Sequence, residues 1–257
     1  MKKIIKKIVA TSVIILLVLV SGLIAVAFSP QMLFASELEH NKFSIYSSET
    51  YDENNLKIRL DDAYKLVEHS ELHDPDLQFG ILLAHNHFWN KIEDLRGKGV
   101  VARPLADNIT IKVPINPELN EAKSSRSTLN LTILLAHEMI HVLQANKYGL
   151  LNFSPIKHPP MWKLEGYPEY IARRDQLNAD DYSLKSEIQR YEELVEASSD
   201  MDVEVTEGHF MPFYYYKGRV MIEYLMDIKG MTYDEILKDD TSEESVYQEV
   251  LQWSKAS

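Results

Sequence analysis

The run Leu131-Thr-Ile-Leu-Leu-Ala-His137-Glu138-Met-Ile-His141-Val-Leu-Gln144 places His-Glu-x-x-His inside an apolar stretch. On a helix, residues four apart share a face, so His137 and His141 can present two imidazoles to one zinc ion. Glu138 sits beside them, where its carboxylate can take a proton from a water polarised by the metal. The chemistry such a set performs is metal-assisted hydrolysis. Three fixed residues in five also arise by chance in helices whose histidines are merely hydrogen-bonded. The apolar flanks tip the balance, because a helix that holds two ligands rigidly and excludes water has to be buried.

A catalytic zinc site needs a third protein ligand and an open position. Downstream, Trp162-Lys-Leu-Glu165-Gly166-Tyr-Pro-Glu169-Tyr170 sets Glu165 and Glu169 four apart, on one face of a helix. Glu165 can be the third ligand. Glu169 can accept the spare N–H of His137 or His141 and fix that ring's tautomer. The competing reading is a solvated acidic face in an acid-rich chain, and the upstream motif outweighs it. The pair His85-Asn-His87 would point to one side of a strand, but no carboxylate motif accompanies it. His40, His69, His73 and His158 read as surface residues.

With these residues in place the chain resembles the gluzincins, zinc peptidases whose ligands are two histidines and a glutamate. The Trp-x-x-Glu-Gly-x-x-Glu-Tyr string is similar to that of aminopeptidase-like and small bacterial peptidase MA-like proteins, and the resemblance spans roughly Leu77 to Tyr233. It implies His137, His141 and Glu165 as ligands of one Zn2+, Glu138 as general base and Glu169 as the support of a ligand histidine. It also implies an oxyanion donor downstream, in the stretch Glu207-Gly-His209-Phe-Met-Pro-Phe-Tyr214-Tyr215-Tyr216-Lys-Gly218. Tyr215 is the first choice there, with Tyr216 and His209 behind it. Two departures stand out. Twenty-three residues separate His141 from Glu165, more than in thermolysin, and the Gly-x-Met-x-Asn-type motif of the large aminopeptidases is missing.

The elements that must position these groups follow from periodicity. Leu56 to His69 has helical apolar spacing. Leu77 to Phe88 reads as a buried strand running into a helix near Trp89–Leu95. Asp107 to Ile115 alternates like a strand with one buried face, and Pro114 suits an edge strand with which an extended peptide could pair around Ile109–Val113. The motif helix runs from about Ser127 or Thr128 to Gly149. Further helices are expected at about Trp162–Arg174, Ser183–Ala197, Tyr215–Ile228, Thr232–Lys238 and Glu243–Lys255. Residues 37–55 look like a loose stalk. Strands first and helices last give an α+β fold class. The resemblance narrows it to a zincin-like (thermolysin-like) domain with a small N-terminal sheet and a mostly helical C-terminal part.

Composition bounds the surroundings. Lys2, Lys3, Lys6 and Lys7 precede an uncharged run to Ser36, and residues 8–28 are almost wholly apolar, long enough for one N-terminal transmembrane helix. The expected organisation is therefore 1–36 as a lysine-rich tip and signal anchor, and 37–257 as the extracytoplasmic domain. The expected location is the cell membrane, single-pass, with secretion after cleavage near Ala25-Val-Ala27 as the alternative. All 39 acidic residues lie beyond residue 36, which argues against nucleic acid as a partner. There is no cysteine, so disulfides, thiolate metal sites and cysteine nucleophiles are excluded. Sequons at Asn108, Asn130 and Asn152, one of them on the motif helix, fit a bacterial exported protein without glycans. The expected function is zinc-dependent peptide hydrolysis on an extended peptide or protein. The alternative is a catalytically silent surface binding domain, which would have no need of Glu138. A chance motif in a structural membrane protein would bind no stoichiometric zinc.

Overall fold

The computed structural model describes residues 2–124, 127–153, 157–177, 179–197, 202–206 and 209–256. In chain order its helices are α1 (Lys2–Phe28), α2 (Glu53–Val67), α3 (Phe88–Glu93), α4 (Leu131–Tyr148), α5 (Met161–Ala172), α6 (Arg174–Leu177), α7 (Leu184–Ala197), α8 (Phe213–Glu223), α9 (Tyr233–Lys238) and α10 (Glu243–Lys255). The strands are β1 (Ser36–His40), β2 (Phe43–Ser47), β3 (Phe79–Leu83), β4 (Ala102–Leu105), β5 (Asn108–Ile111), β6 (Ile115–Asn116), β7 (Glu121–Lys123), β8 (Thr128–Asn130), β9 (Asp202–Thr206) and β10 (His209–Pro212).

They form two mixed five-stranded sheets, ordered β1-β2-β3-β5-β4 and β6-β7-β8-β10-β9. In the first, β2, β3 and β5 run parallel, while β1 and β4 are antiparallel edges. Phe43, Ile45, Phe79, Ile81, Ile109 and Ile111 from these strands are buried in one core with Leu56, Leu60 and Ala63 of α2 and Leu135, Met139 and Leu143 of α4. Burying such side chains is the main favourable term of folding, about 1.5–3 kcal/mol for each large one.

The second sheet aims the functional helices. Strand β8 runs straight into α4, whose N-cap Asn130 accepts from the Ile133 N–H through its side chain. Strand β10 runs straight into α8, and it pairs in parallel with β8, His209 opposite Thr128. Two helices thus leave paired strands of one sheet, and α5 packs against both helices.

This is a mixed α/β architecture, which corrects the expected zincin-like α+β class with its strands first and its C-terminal part mostly helical. The reason lies in β9 and β10: they follow α7 in sequence yet complete a sheet with β6–β8. Residues 37–55 are no stalk either, since β1 and β2 belong to the first sheet and Phe43, Ile45 and Ser47 are buried. The strand around Ile109–Val113 is not an edge, because β5 lies between β3 and β4, and the true edge is β4. Among the described residues no helix is long and apolar enough to cross a membrane. The expected transmembrane helix at residues 8–28, and with it the single-pass membrane location, is corrected accordingly.

Candidate metal centre

The two histidines sit one turn apart on α4, and Glu165 and Glu169 sit one turn apart on α5, which begins after Pro159-Pro160. Facing one another, the two helices bring three ligand atoms together. His137 Nε2 lies 3.0 Å from His141 Nε2, and Glu165 Oε2 lies 3.3 Å and 3.2 Å from the two nitrogens. Bonds of ~2.0–2.1 Å to a tetrahedral ion put neighbouring donors about 3.3 Å apart, so these separations trace one face of such a polyhedron. His137, His141 and Glu165 form the one group of three metal-competent side chains among the described residues, and it could hold a metal ion.

Both histidines are held from behind. His137 Nδ1 lies 3.1 Å from Glu169 Oε1, close enough for charge pairing although bent away from hydrogen-bond alignment. Glu169 is fixed in turn by Arg173 Nε, which donates to its Oε2 at 2.8 Å. His141 Nδ1 lies 2.7 Å from Gln144 Oε1. Burial opposes charge on His137, Glu165 and Glu169, but close partners prevail. The Glu165 and Glu169 carboxylates push His137 up to about 10. The His141 and His137 imidazoles hold Glu165 well below the usual carboxylate range, and Arg173 with His137 brings Glu169 down to about 2.

Glu138 is different. It is buried, and its Oε2 has no hydrogen-bond partner. Burial raises its pKa, against the pull of the neighbouring imidazoles. Buried polar atoms are nearly always partnered, so an orphaned carboxylate oxygen marks a place prepared for something else. It lines a cavity of about 380 Å³, as do His137, Glu169 and Tyr215. The walls are largely apolar, with Val100, Ala102, Leu129, Ile133, Leu134 and Met211.

Of the residues expected to stabilise an oxyanion, Tyr215 is at the site. Its ring stacks on His137 with centroids 5.5 Å apart and 18° between planes, and meets Tyr214 edge-on at 4.5 Å. Burial, with Glu165 next, raises its hydroxyl well above the ordinary value, so it stays a neutral donor. Tyr214 also lines the cavity but is exposed. Tyr216 points elsewhere. Its hydroxyl donates to Glu187 Oε2 at 2.8 Å and its ring lies against Arg219. The His209 side chain lies outside the described ones, and only its backbone, opening β10, is placed. His87 caps α3 and stacks on Phe34, while His85 is exposed, so the two do not converge.

Sequence reasoning gave no role to Arg173 or Gln144. Both carry a signal in their spacing, four after Glu169 and three after His141. The Val100–Ala102 wall carries none, because only sheet pairing brings it to the site. Neither family models nor curated proteins match the chain, so the functional reading rests on this geometry.

Proposed function

We propose that the protein is a zinc-dependent peptidase of the gluzincin type. One observation carries the reading: Glu138, which has a buried carboxylate oxygen without a partner, lines the same cavity as His137, beside a cluster of two imidazole nitrogens and one carboxylate oxygen. That donor set suits zinc, whereas calcium and magnesium call for oxygen ligands. Zinc held by His137, His141 and Glu165 would supply Lewis acidity toward a water molecule and the peptide carbonyl.

The chain's own groups do the rest. Glu138 accepts the proton of the attacking water on its free oxygen and passes it to the departing amine nitrogen. The Tyr215 hydroxyl donates to the carbonyl oxygen as negative charge grows there. Glu169, held by Arg173, keeps the His137 ring oriented. An extended peptide adds to the outer edge of β4 at Val100–Ala102, where main-chain groups supply hydrogen bonds without demanding a sequence. The apolar walls favour apolar side chains next to the cleaved bond.

The test is metal analysis of the full chain and digestion of a peptide library, run beside Glu138→Gln. About one zinc per chain and cleavage that the substitution abolishes are expected. Zinc retained without cleavage of any library member would replace this reading with that of a binding domain.

A further inference from the structure

A hydrogen-bond relay centred on a buried glutamine stands behind the second histidine. Gln144 is 0% exposed, and all its amide atoms are engaged. Its Nε2 donates to Leu164 O at 3.2 Å and to the Tyr233 hydroxyl at 2.8 Å, and that hydroxyl donates on to Lys163 O at 3.0 Å. Tyr233 is itself fixed by stacking on Tyr167, centroids 3.9 Å apart.

The polarity of this chain allows one arrangement. Two carbonyl oxygens, of Lys163 and Leu164, can only accept. Tyr233 must therefore give its proton to Lys163 O and receive from Gln144. Turning the amide over would set Oε1 against Leu164 O, acceptor to acceptor. Oε1 is thus committed to His141, whose Nδ1 must carry the hydrogen, leaving the lone pair on Nε2 for the metal. Leu164 O can accept from Gln144 because Pro168, four residues on, has no N–H to give it.

We propose that Gln144 is a positioning residue that sets the tautomer of His141 and couples it to the third ligand, since the carbonyls anchoring the relay immediately precede Glu165. This rests on the metal-centre reading and not on peptidase activity. Outer partners of ligand histidines contribute about 10- to 100-fold in metal affinity.

The test loads the full-length, metal-stripped chain with Zn2+ against a chromophoric chelator and reads the histidine ring nitrogens by 15N NMR. Gln144→Met should weaken Zn2+ by about 10- to 100-fold and remove the single Nδ1–H pattern of His141. Gln144→Glu should recover only part of the affinity, because one carboxylate oxygen accepts the same N–H while the other is set against Leu164 O. Tyr233→Phe keeps the ring stack, so it is the arm that decides if Gln144→Met fails to fold. In zinc affinity it should fall between the parent and Gln144→Met, while the metal-free protein, missing two buried hydrogen bonds, still folds cooperatively but melts at a lower midpoint. Parental zinc affinity and an unaltered His141 pattern in both variants would overturn the relay. No stoichiometric zinc on the parent would overturn the metal centre, and the relay with it.

Discussion

The ligand side of the cavity and its substrate side are built from different kinds of neighbours. On the ligand side, His137, His141 and Gln144 share one helix, and Glu165, Glu169 and Arg173 come from α5 and the residue that ends it. Every contact there is a helical repeat or a meeting of two packed helices. The substrate side joins Val100–Ala102, Leu129, and Met211 with Tyr215, from three separate segments. On the ligand side Glu165 and Glu169 each have a histidine nitrogen within 3.3 Å, whereas Glu138, at the boundary, has an oxygen with no hydrogen-bond partner. On the proposed reading, the contrast teaches that rigidity is concentrated where an ion would be held and that the atom assigned to proton exchange is left without a partner.

The sharpest way to break this comparison is Glu138→Gln. If the free oxygen is the base, peptide cleavage falls by about 10²–10⁴-fold while zinc content stays at the parental value. Unimpaired turnover would remove the distinction between the two sides. Next comes the tyrosine pair. Tyr215→Phe should lower kcat by about 10²–10³-fold with little change in KM. Tyr216→Phe should leave kcat within a few-fold, because that hydroxyl serves Glu187. Equal losses from the two would show that the ring stacked on His137 is not special.

The third prediction probes how the sides are joined. A Cβ on Gly166 would stand 2.5 Å from the backbone of Gly218, so α5 and α8 touch main chain to main chain. Gly166→Ala should cost about 3 kcal/mol or more, read as a lower denaturation midpoint. A neutral outcome would mean that the helices can part without harm. The smallest effect is expected away from the cavity, at Glu223, which burial raises to about 7 despite Arg219. The folded chain holds this proton more tightly than the unfolded one does. Its contribution is therefore most favourable below about pH 4.5 and is lost as pH rises through 7. Because Arg219 also serves Glu187, the slope should be on the order of 1 kcal/mol, and Glu223→Gln should flatten it in pH-dependent melting.

What could be read in the sequence follows the same divide. The four-residue spacings of His137 and His141, and of Glu165 and Glu169, survive into the structure because an α-helix turns such spacing directly into a shared face. Tyr215 was reachable only as one of several downstream candidates, since adjacent residues on a helix diverge by about 100° and Tyr214–Tyr216 look alike in the chain. Strands β8 and β10 span three and four residues, too few to show a period, and their pairing is non-local. The same holds for β4, whose place at the edge depends on where β5 docks. Two short strands that alternate, β1 and β2, were hidden by the polar residues around them.

The parallel pairing of β8 with β10 has a consequence for the order of assembly. The metal ligands span fewer than 30 residues, from His137 to Glu165, whereas the sheet contact that delivers Tyr215 closes a loop of about 80 residues between Thr128 and His209. During folding, the ion's seat can form before the proton donor arrives. On the proposed reading, a chain stalled at that stage would bind a metal ion yet lack the donor that its chemistry requires.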